Sequence, residues 1–434
     1  MAQTVIIADD LSGAADCAGA FVKAGLDTLV VIDRHAEECP GTRTAQVISV
    51  DADTRRLPAD EAAAVHLELL RRYHAPGALL YKKIDSTLRG NFAQELAAIL
   101  GEAERTGLAI VAPAFPQTGR VTTGGHQYLN GIPLEQTEVW RAEGIAGTAY
   151  IPTMLARHGI RTATVGMDDI RRGARHVRAL LEARIADGMQ AVVCDAESES
   201  DLEVIVQASL PLSVPRFWVG SAGLTAHLPG AVAMREPATA TPPVTTDGSI
   251  LTVVGSLSSV SRAQAEYLAA AVPMARVDVP ASVLRDGRSH PRWQALRATV
   301  EASLKESRDM LVLIEKGESI NMGEGLQLCQ ALAMLLAPLA EHIGAVVSTG
   351  GETARAILSA MGSKGLHLVG EIESGVPLSV AAGIKPIPVI TKAGAFGRPD
   401  TLLRCYETLQ RAREHDAADI ALQDTSTPSH RKAS

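Results

Sequence analysis

The sequence predicts an α/β protein of two domains, each built on a mostly parallel sheet. Three observations carry that expectation. Short apolar runs alternate with amphipathic helical stretches along nearly the whole chain, as strand–helix units do. At 434 residues the chain exceeds what one ordinary core encloses. The stretch "LPGAVAMREPATATPPVTTDGS" (228–249) is rich in Pro, Ala and Thr and has no amphipathic period, which marks a linker. The expected division is an N-terminal domain over 1–228, a linker over 229–249, a C-terminal domain over 250–413, and a disordered or peripheral tail over 414–434.

Composition narrows the function classes. The chain is 46% hydrophobic and 21% charged, as a globular enzyme is. Aromatic residues make up only 3%, too few for nucleic-acid stacking platforms, and a net charge of −8 argues against a polyanionic partner. The five cysteines are scattered and form no C-x-x-C pair, so they read as reduced thiols rather than a disulfide or zinc framework. No stretch is apolar enough to span a bilayer, and the first strand starts almost at once, without a basic-then-apolar leader. A cytoplasmic protein is expected.

Taken in order, strands are expected at Val5–Ala8, Thr28–Ile32, Gln46–Val50, Ala78–Lys82, Leu108–Ala112, Thr162–Val165, Ala191–Cys194 and Phe217–Gly220. After the linker come Ile250–Val254, Met310–Leu313, Ala345–Ser348, Leu366–Val369 and Pro388–Thr391. Helical patterns such as Asp60–Tyr73, Asn91–Ala103, Arg172–Asp187 and Gly323–Leu336 lie between them.

In "TVIIADDLSGAADCAGAF", Asp9 and Asp10 fall between a buried strand and a helix, where ligands bind in open α/β sheets. One Asp as a helix cap is the plain alternative; it does not explain both. In "YKKIDSTLRGN", Lys82 and Lys83 close a strand, Asp85 sits in a polar turn, and Arg89 and Asn91 open the next helix, an arrangement suited to an anion. Successive strand residues face opposite ways, so one of the two lysines faces the site. "SVDADTRRLP" brings Asp51, Asp53, Thr54, Arg55 and Arg56 to a third strand end, and Ala112–Leu134 reads as a long Gly/Pro/Thr loop with Arg120 and His126. Acids that bind hydroxyls beside bases that clamp a carboxylate describe a pocket for a small hydroxylated acid.

The C-terminal half repeats another pattern: a strand, then glycine and hydroxyl residues. Gly255, Ser256 and Ser258 follow one strand, Gly350, Gly351 and Thr353 a second, and Lys392, Gly394 and Gly397 a third. Such turns expose backbone N–H groups to a phosphate. The sequence holds no Gly-Lys dipeptide, no G-x-G-x-x-G and no H-E-x-x-H, so neither a Walker A loop nor the dinucleotide fingerprint is present. A phosphate site of another kind beside a hydroxy-acid domain points to a small-molecule kinase.

The segments "ADDLSGAAD", "KKIDSTLRGN", "PAFPQTGR", "NGIPL", "VGSAGL", "GSLSSVSRAQ", "STGGETA" and "TKAGAFG" resemble, in order and from about residue 4 to residue 412, the four-carbon acid sugar kinase family. The resemblance implies ATP-dependent phosphorylation of the terminal 4-hydroxyl of a four-carbon sugar acid, with D-threonate favoured and 3-oxo-tetronate or D-erythronate as alternatives. It places the acid sugar in the N-terminal domain, on Asp9, Arg55 and the stretch Lys82, Lys83, Ile84 and Asp85. It places ATP in the C-terminal domain, on Ser256 or Ser258, on Gly350, Gly351, Glu352 and Thr353, and around Gly394 to Gly397. Ser12 stands where many relatives carry Thr, which keeps the hydroxyl.

For the chemistry, Lys82 or Lys83 with Arg55 and Arg89 is expected to bind the acid, and Asp9, Asp10 or Asp85 to orient the hydroxyl and accept its proton. Mg²⁺ is expected on the ATP phosphates, with its protein ligands left open, and domain closure across the linker is expected to exclude water. A homo-oligomer and a downstream oxidising decarboxylase acting on the 4-phosphate are further expectations. An NAD(P)-dependent oxidoreductase or isomerase on the same acids is the reading from a different class, and a non-catalytic acid sensor a third.

Overall fold

The structure is a computed structural model and describes residues 2–36, 38–102, 106–232, 243–256, 258–315, 324–373 and 375–424, without the side chains of Ala142 and of residues 415–424. The chain divides into two compact units, Met1–Ala240 and Thr241–Ser434. Residues 233–242 of the Pro/Ala/Thr-rich stretch and 425–434 of the expected tail are outside the described residues. The last helix, Thr401–Asp424, continues past Glu414, where the sequence sets the start of a tail.

The first unit is built on β1 (Thr4–Ala8), β2 (Thr28–Val31), β3 (Val47–Asp51), β4 (Leu79–Lys83) and β5 (Leu108–Ala112), then β6 (Arg120–Thr123), β7 (His126–Leu129), β8 (Ile132–Pro133), β9 (Thr162–Val165), β10 (Ala191–Cys194) and β11 (Arg216–Gly220). Its main sheet runs β2-β3-β1-β4-β11-β5-β10-β9, with every pair parallel. Both faces are covered, which is why these strands read as unbroken apolar runs. Val5 and Ile7 point into one buried layer and Ile6 into the other.

Register then sets the site. Ala8 pairs with both Asp51 and Lys83, and Gly220 with both Lys83 and Ala112, so five carboxyl ends lie level. After β1 the chain first builds the β3 and β2 side and returns to β4 on the other, so the crevice outside β1 is a switch point.

The Ala112–Leu134 stretch, expected as a loop, instead folds into an antiparallel sheet of β6, β7 and β8. Two-residue turns make this possible: Gly124-Gly125 and Asn130-Gly131 all take positive φ, the backbone that a tight hairpin demands.

The second unit contains β12 (Ser249–Val254), β13 (Ala275–Val279), β14 (Met310–Ile314), β15 (Ile343–Thr349), β16 (Gly365–Glu373), β17 (Val376–Ala382) and β18 (Pro388–Lys392), in the order β13-β14-β12-β15-β18-β17-β16. The first five of that order are parallel; β17 and β16 are antiparallel. Val254 is level with Thr349, and Thr349 with Lys392, so here too the carboxyl ends form a row.

All five cysteines are buried and unpaired with one another. Burial pushes the thiols of Cys17, Cys194 and Cys405 up to about 12, so they remain protonated and inert. Among the described residues no helix is long and apolar enough to cross a membrane.

Candidate active site

Asp10 caps the helix α1 (Leu11–Lys23): its Oδ1 accepts from the Gly13 N–H at 3.0 Å. Asp9 does something else. It is buried beneath Arg55, whose Nε and Nη2 donate to its two oxygens at 2.7 and 3.1 Å. Arg55 reaches this point because the turn after β3 is pinned to β1, with the Thr54 and Arg55 N–H groups both donating to the Asp9 carbonyl. The same guanidinium bonds Asp10 at 3.0 and 2.9 Å and lies 3.8 Å from Asp85.

Burial works to raise the pKa of Asp9, but Arg55 and then Lys83 outweigh it and bring the value down to about 2. Asp85 follows the same pattern: burial opposes its charge, yet Arg89 and Arg55 hold it well below the usual range. Arg89 grips Asp85 with Nε at 2.8 Å and Nη2 at 2.9 Å, and Thr87 also bonds that carboxylate. The chain takes positive φ at Leu88, between them, and at Gly90, just past Arg89. A Cβ at Gly90 would lie 3.4 Å from both Arg55 Cγ and Asp9 Oδ2, so the turn packs directly against the charged cluster.

The two lysines separate. Lys83 points toward α1, where a Cβ on Gly13 would meet its Nζ at 2.4 Å. Burial weighs against its charge, but Asp9 and Asp10 prevail and raise its pKa above the ordinary lysine value. Lys82 points to the opposite face, fully buried, with its Nζ 2.8 Å from Glu95 Oε2 in α2 (Phe92–Leu100). Its ammonium also donates to the Lys83 carbonyl at 2.9 Å. An ion pair in the core thus occupies the Lys82 ammonium, and the Ile84 side chain belongs to the apolar core.

Sequence reading missed Glu95. Its Oε1 accepts from the Thr54 hydroxyl at 2.7 Å, and His66 Nδ1 stands 3.5 Å away. Burial, assisted by Lys82, lowers His66 to about 4, so the imidazole is neutral at pH 7. A buried acid within an otherwise apolar helical stripe was the available signal. Near the site, Gln127 of β7 donates to the Ser86 carbonyl at 2.9 Å and ties the small sheet to the Asp85 turn. His126 pairs with Glu135 at 2.8 Å, a structural use.

In the second unit the glycine turns meet. A Cβ on Gly394 would lie 2.2 Å from Ser256 Oγ, and one on Gly255 would lie 2.1 Å from Thr353 Oγ1. Gly350 has φ +92° and donates its N–H to the Lys392 carbonyl at 2.8 Å. The helix Gly351–Ala360 that follows has no side-chain cap, and Glu352 lies in its first turn. Its leading N–H groups are donors of the kind that can hold a phosphate.

Ser258 caps the helix Ser259–Ala271 by accepting from the Val260 N–H at 3.2 Å, which leaves Ser256 as the serine at the meeting turns. Thr353 is buried, with its hydroxyl 3.2 Å from Cys329 Sγ. Gly397 has φ +89°, and a Cβ there would meet Thr401 Oγ1 at 2.6 Å. Lys392 shapes the loop between, donating to the Ala393 and Phe396 carbonyls at 3.0 and 2.9 Å. Burial lowers its pKa to about 8. Among the described residues, no group of three or more His, Cys, Asp or Glu side chains is placed to hold a metal ion.

Comparison with known proteins gives each half a family description. Residues 4–228 match a sugar-binding N-terminal domain and residues 251–402 a nucleotide-binding C-terminal domain. The chain belongs to the four-carbon acid sugar kinase family. It is 42% identical to a D-threonate kinase of Cupriavidus necator, over 95% of this chain and 99% of that one. It is 34% identical to a D-threonate kinase of Bordetella bronchiseptica, over 94% and 98%. Proteins named 3-oxo-tetronate kinase and D-erythronate kinase match at lower identity. A Salmonella typhimurium crystal structure aligns with a TM-score of 0.79 at 22% identity, covering 93% of this chain and 99% of that one, which shows the fold.

Proposed function

We propose that this family member is an ATP-dependent kinase that phosphorylates the terminal hydroxyl of D-threonate, giving the 4-phosphate and ADP. The observation that supports this most strongly is the sugar-binding match on the unit that holds Asp9, Arg55, Lys83 and Asp85, beside a nucleotide-binding match on the unit with the glycine turns. The similarity to D-threonate kinases along nearly the full chain supports the choice of acid.

Phosphoryl transfer passes through a loose transition state, so the protein mainly aligns the hydroxyl and offsets charge. Asp9 and Asp85, held ionised by Arg55 and Arg89, accept hydrogen bonds from substrate hydroxyls. A carboxylate with a pKa near 2 is a weak base, so its work is to orient the terminal hydroxyl and receive the proton late, as the bond to phosphorus forms. Asp10 stands beside it on the same guanidinium. Ser256, Gly350, Gly351, Glu352, Gly394 and Gly397 are the proposed nucleotide contacts. The chain's own donors here are backbone N–H groups, which suit a metal that arrives on the phosphates. Mg²⁺ is that metal in our proposal; bound with the nucleotide, it would supply charge neutralisation on the phosphate oxygens. An enzyme that oxidises and decarboxylates the 4-phosphate is the proposed consumer of the product.

The test is ADP release by a coupled assay with Mg²⁺ over D-threonate, L-threonate, D-erythronate, L-erythronate and 3-oxo-tetronate. D-threonate is expected to give the highest kcat/KM. A higher value for another acid overturns the substrate, and NADH formation without ADP release overturns the kinase.

A further inference from the structure

Charge balance in the first unit points to one more residue. Arg55, Lys83 and Arg89 face Asp9, Asp10 and Asp85, so each of these cations is already matched by a carboxylate. An acid substrate brings a further negative charge into this partly buried cluster, and that charge needs a cation not already matched. We propose, on the kinase reading above, that Arg120 anchors the substrate carboxylate.

Arg120 pairs with Leu129 of β7, the strand that Gln127 ties to the Ser86 carbonyl, so it lies beside the Asp85 turn, and Asp85 and Arg89 are the charged groups that act on it. Among the described residues it pairs with no carboxylate: its guanidinium has one hydrogen bond, from Nη1 to the Thr118 carbonyl at 2.7 Å. Among the described residues, its buried Nε has no hydrogen-bond partner. Burial weighs first against the Arg120 charge, Asp85 offsets part of that, and the pKa is lowered. A guanidinium so placed gains most from a new anion.

The backbone holds it there. Arg120 and Phe115 exchange N–H···O bonds of 3.2 and 2.8 Å. Gly119 turns at φ +72°, where a Cβ would meet Asn130 Oδ1 at 2.0 Å, so only glycine closes the turn. With Gln127 tying β7 to Ser86, the backbone that carries Arg120 is fixed against the Asp85 turn before substrate arrives.

The test compares D-threonate with D-threonamide, its uncharged carboxamide, in wild type, Arg120→Gln and Arg120→Lys. Arg120→Gln is expected to lower kcat/KM for D-threonate about a hundredfold, mainly through KM, while D-threonamide turnover and the KM for ATP change by less than about threefold. Arg120→Lys, which keeps the charge and loses the fork, falls between. Arg120→Gln with the wild-type ratio of the two substrates overturns the proposal. In parallel, D-threonate without nucleotide is expected to raise the melting temperature of wild type and not of Arg120→Gln; an equal rise in both overturns it. If wild type is stabilised by D-threonate but does not turn it over, the kinase reading fails alone and the melting comparison decides for Arg120. A wild type neither stabilised nor active with D-threonate overturns both.

Discussion

The two halves of this chain use one architecture for opposite ends. In both, parallel strands finish level, at Asp51, Ala8 and Lys83 in the first unit and at Val254, Thr349 and Lys392 in the second. Beyond those ends the first unit sets charged side chains against one another, and the second sets glycine turns whose donors are backbone N–H groups. The lysines show the difference. Lys83, beside Asp9 and Asp10, has a raised pKa, whereas burial lowers Lys392 to about 8 and leaves it bonded to carbonyls. A polyhydroxy acid is told from its neighbours by placed charges and hydroxyl partners; a triphosphate is held by many similar oxygens. In the proposed kinase, recognition by side chain and recognition by backbone are divided between the sugar-binding and the nucleotide-binding unit.

The sharpest break would come at Asp9. Asp9→Asn is expected to lower kcat about a thousandfold, the scale of a positioned proton acceptor. Steady-state turnover within a few-fold of wild type would remove Asp9 from the chemistry. Beneath it, Lys82→Met strands Glu95 as a buried unpaired acid and is expected to cost about 3 kcal/mol in denaturant unfolding. Adding Glu95→Leu should restore most of that stability; if Lys82→Met alone were neutral, the ion pair would not be what supports the turn bearing Arg55.

These two sites also show what was legible in the sequence. The buried strands were, because a strand covered on both faces is a continuous apolar run, and most observed ends fall within a residue or so of the expected ones. β13 was not, since Arg276 and Asp278 alternate outward and hide its two buried valines. β17 was not, because it opens on Val-Pro, and the β6–β8 sheet was passed over although Asn130-Gly131 is a hairpin signal. At the site, Asp9, Arg55 and Asp85 were legible as strand-end charges. Which lysine faces them was not, because that depends on Glu95 on the far side of the sheet. Thr353 and Ser258 read in sequence only as hydroxyls after a strand; the packing of one against Cys329 and the cap of the other on Val260 depend on the fold.

In the second unit the effects should be smaller, since many weak donors share the work. Gly394→Ala places a Cβ 2.8 Å from Ser256 Cβ, and is expected to raise the KM for ATP about tenfold while the KM for D-threonate stays put. An unchanged KM for ATP would mean that these turns do not approach the nucleotide.

Lys392 gives the smallest effect. Unfolded, it keeps its proton up to about 10.5; folded, it releases it near 8, so between those values the unfolded chain binds more protons and stability rises with pH. Relative to Lys392→Met, wild type should gain about 1 kcal/mol from pH 8 to pH 10, allowing for partial solvent screening. A difference that does not change with pH would contradict the lowered pKa.

The division of labour itself is tested most directly by melting temperatures of wild type, Asp9→Asn and Gly394→Ala, each with D-threonate alone and with ATP and Mg²⁺ alone. The expected pattern is crossed: Asp9→Asn loses the stabilisation by D-threonate and keeps that by ATP, and Gly394→Ala does the reverse. Both ligands failing with one variant, or neither failing with either, would contradict the assignment of acid and nucleotide to separate units.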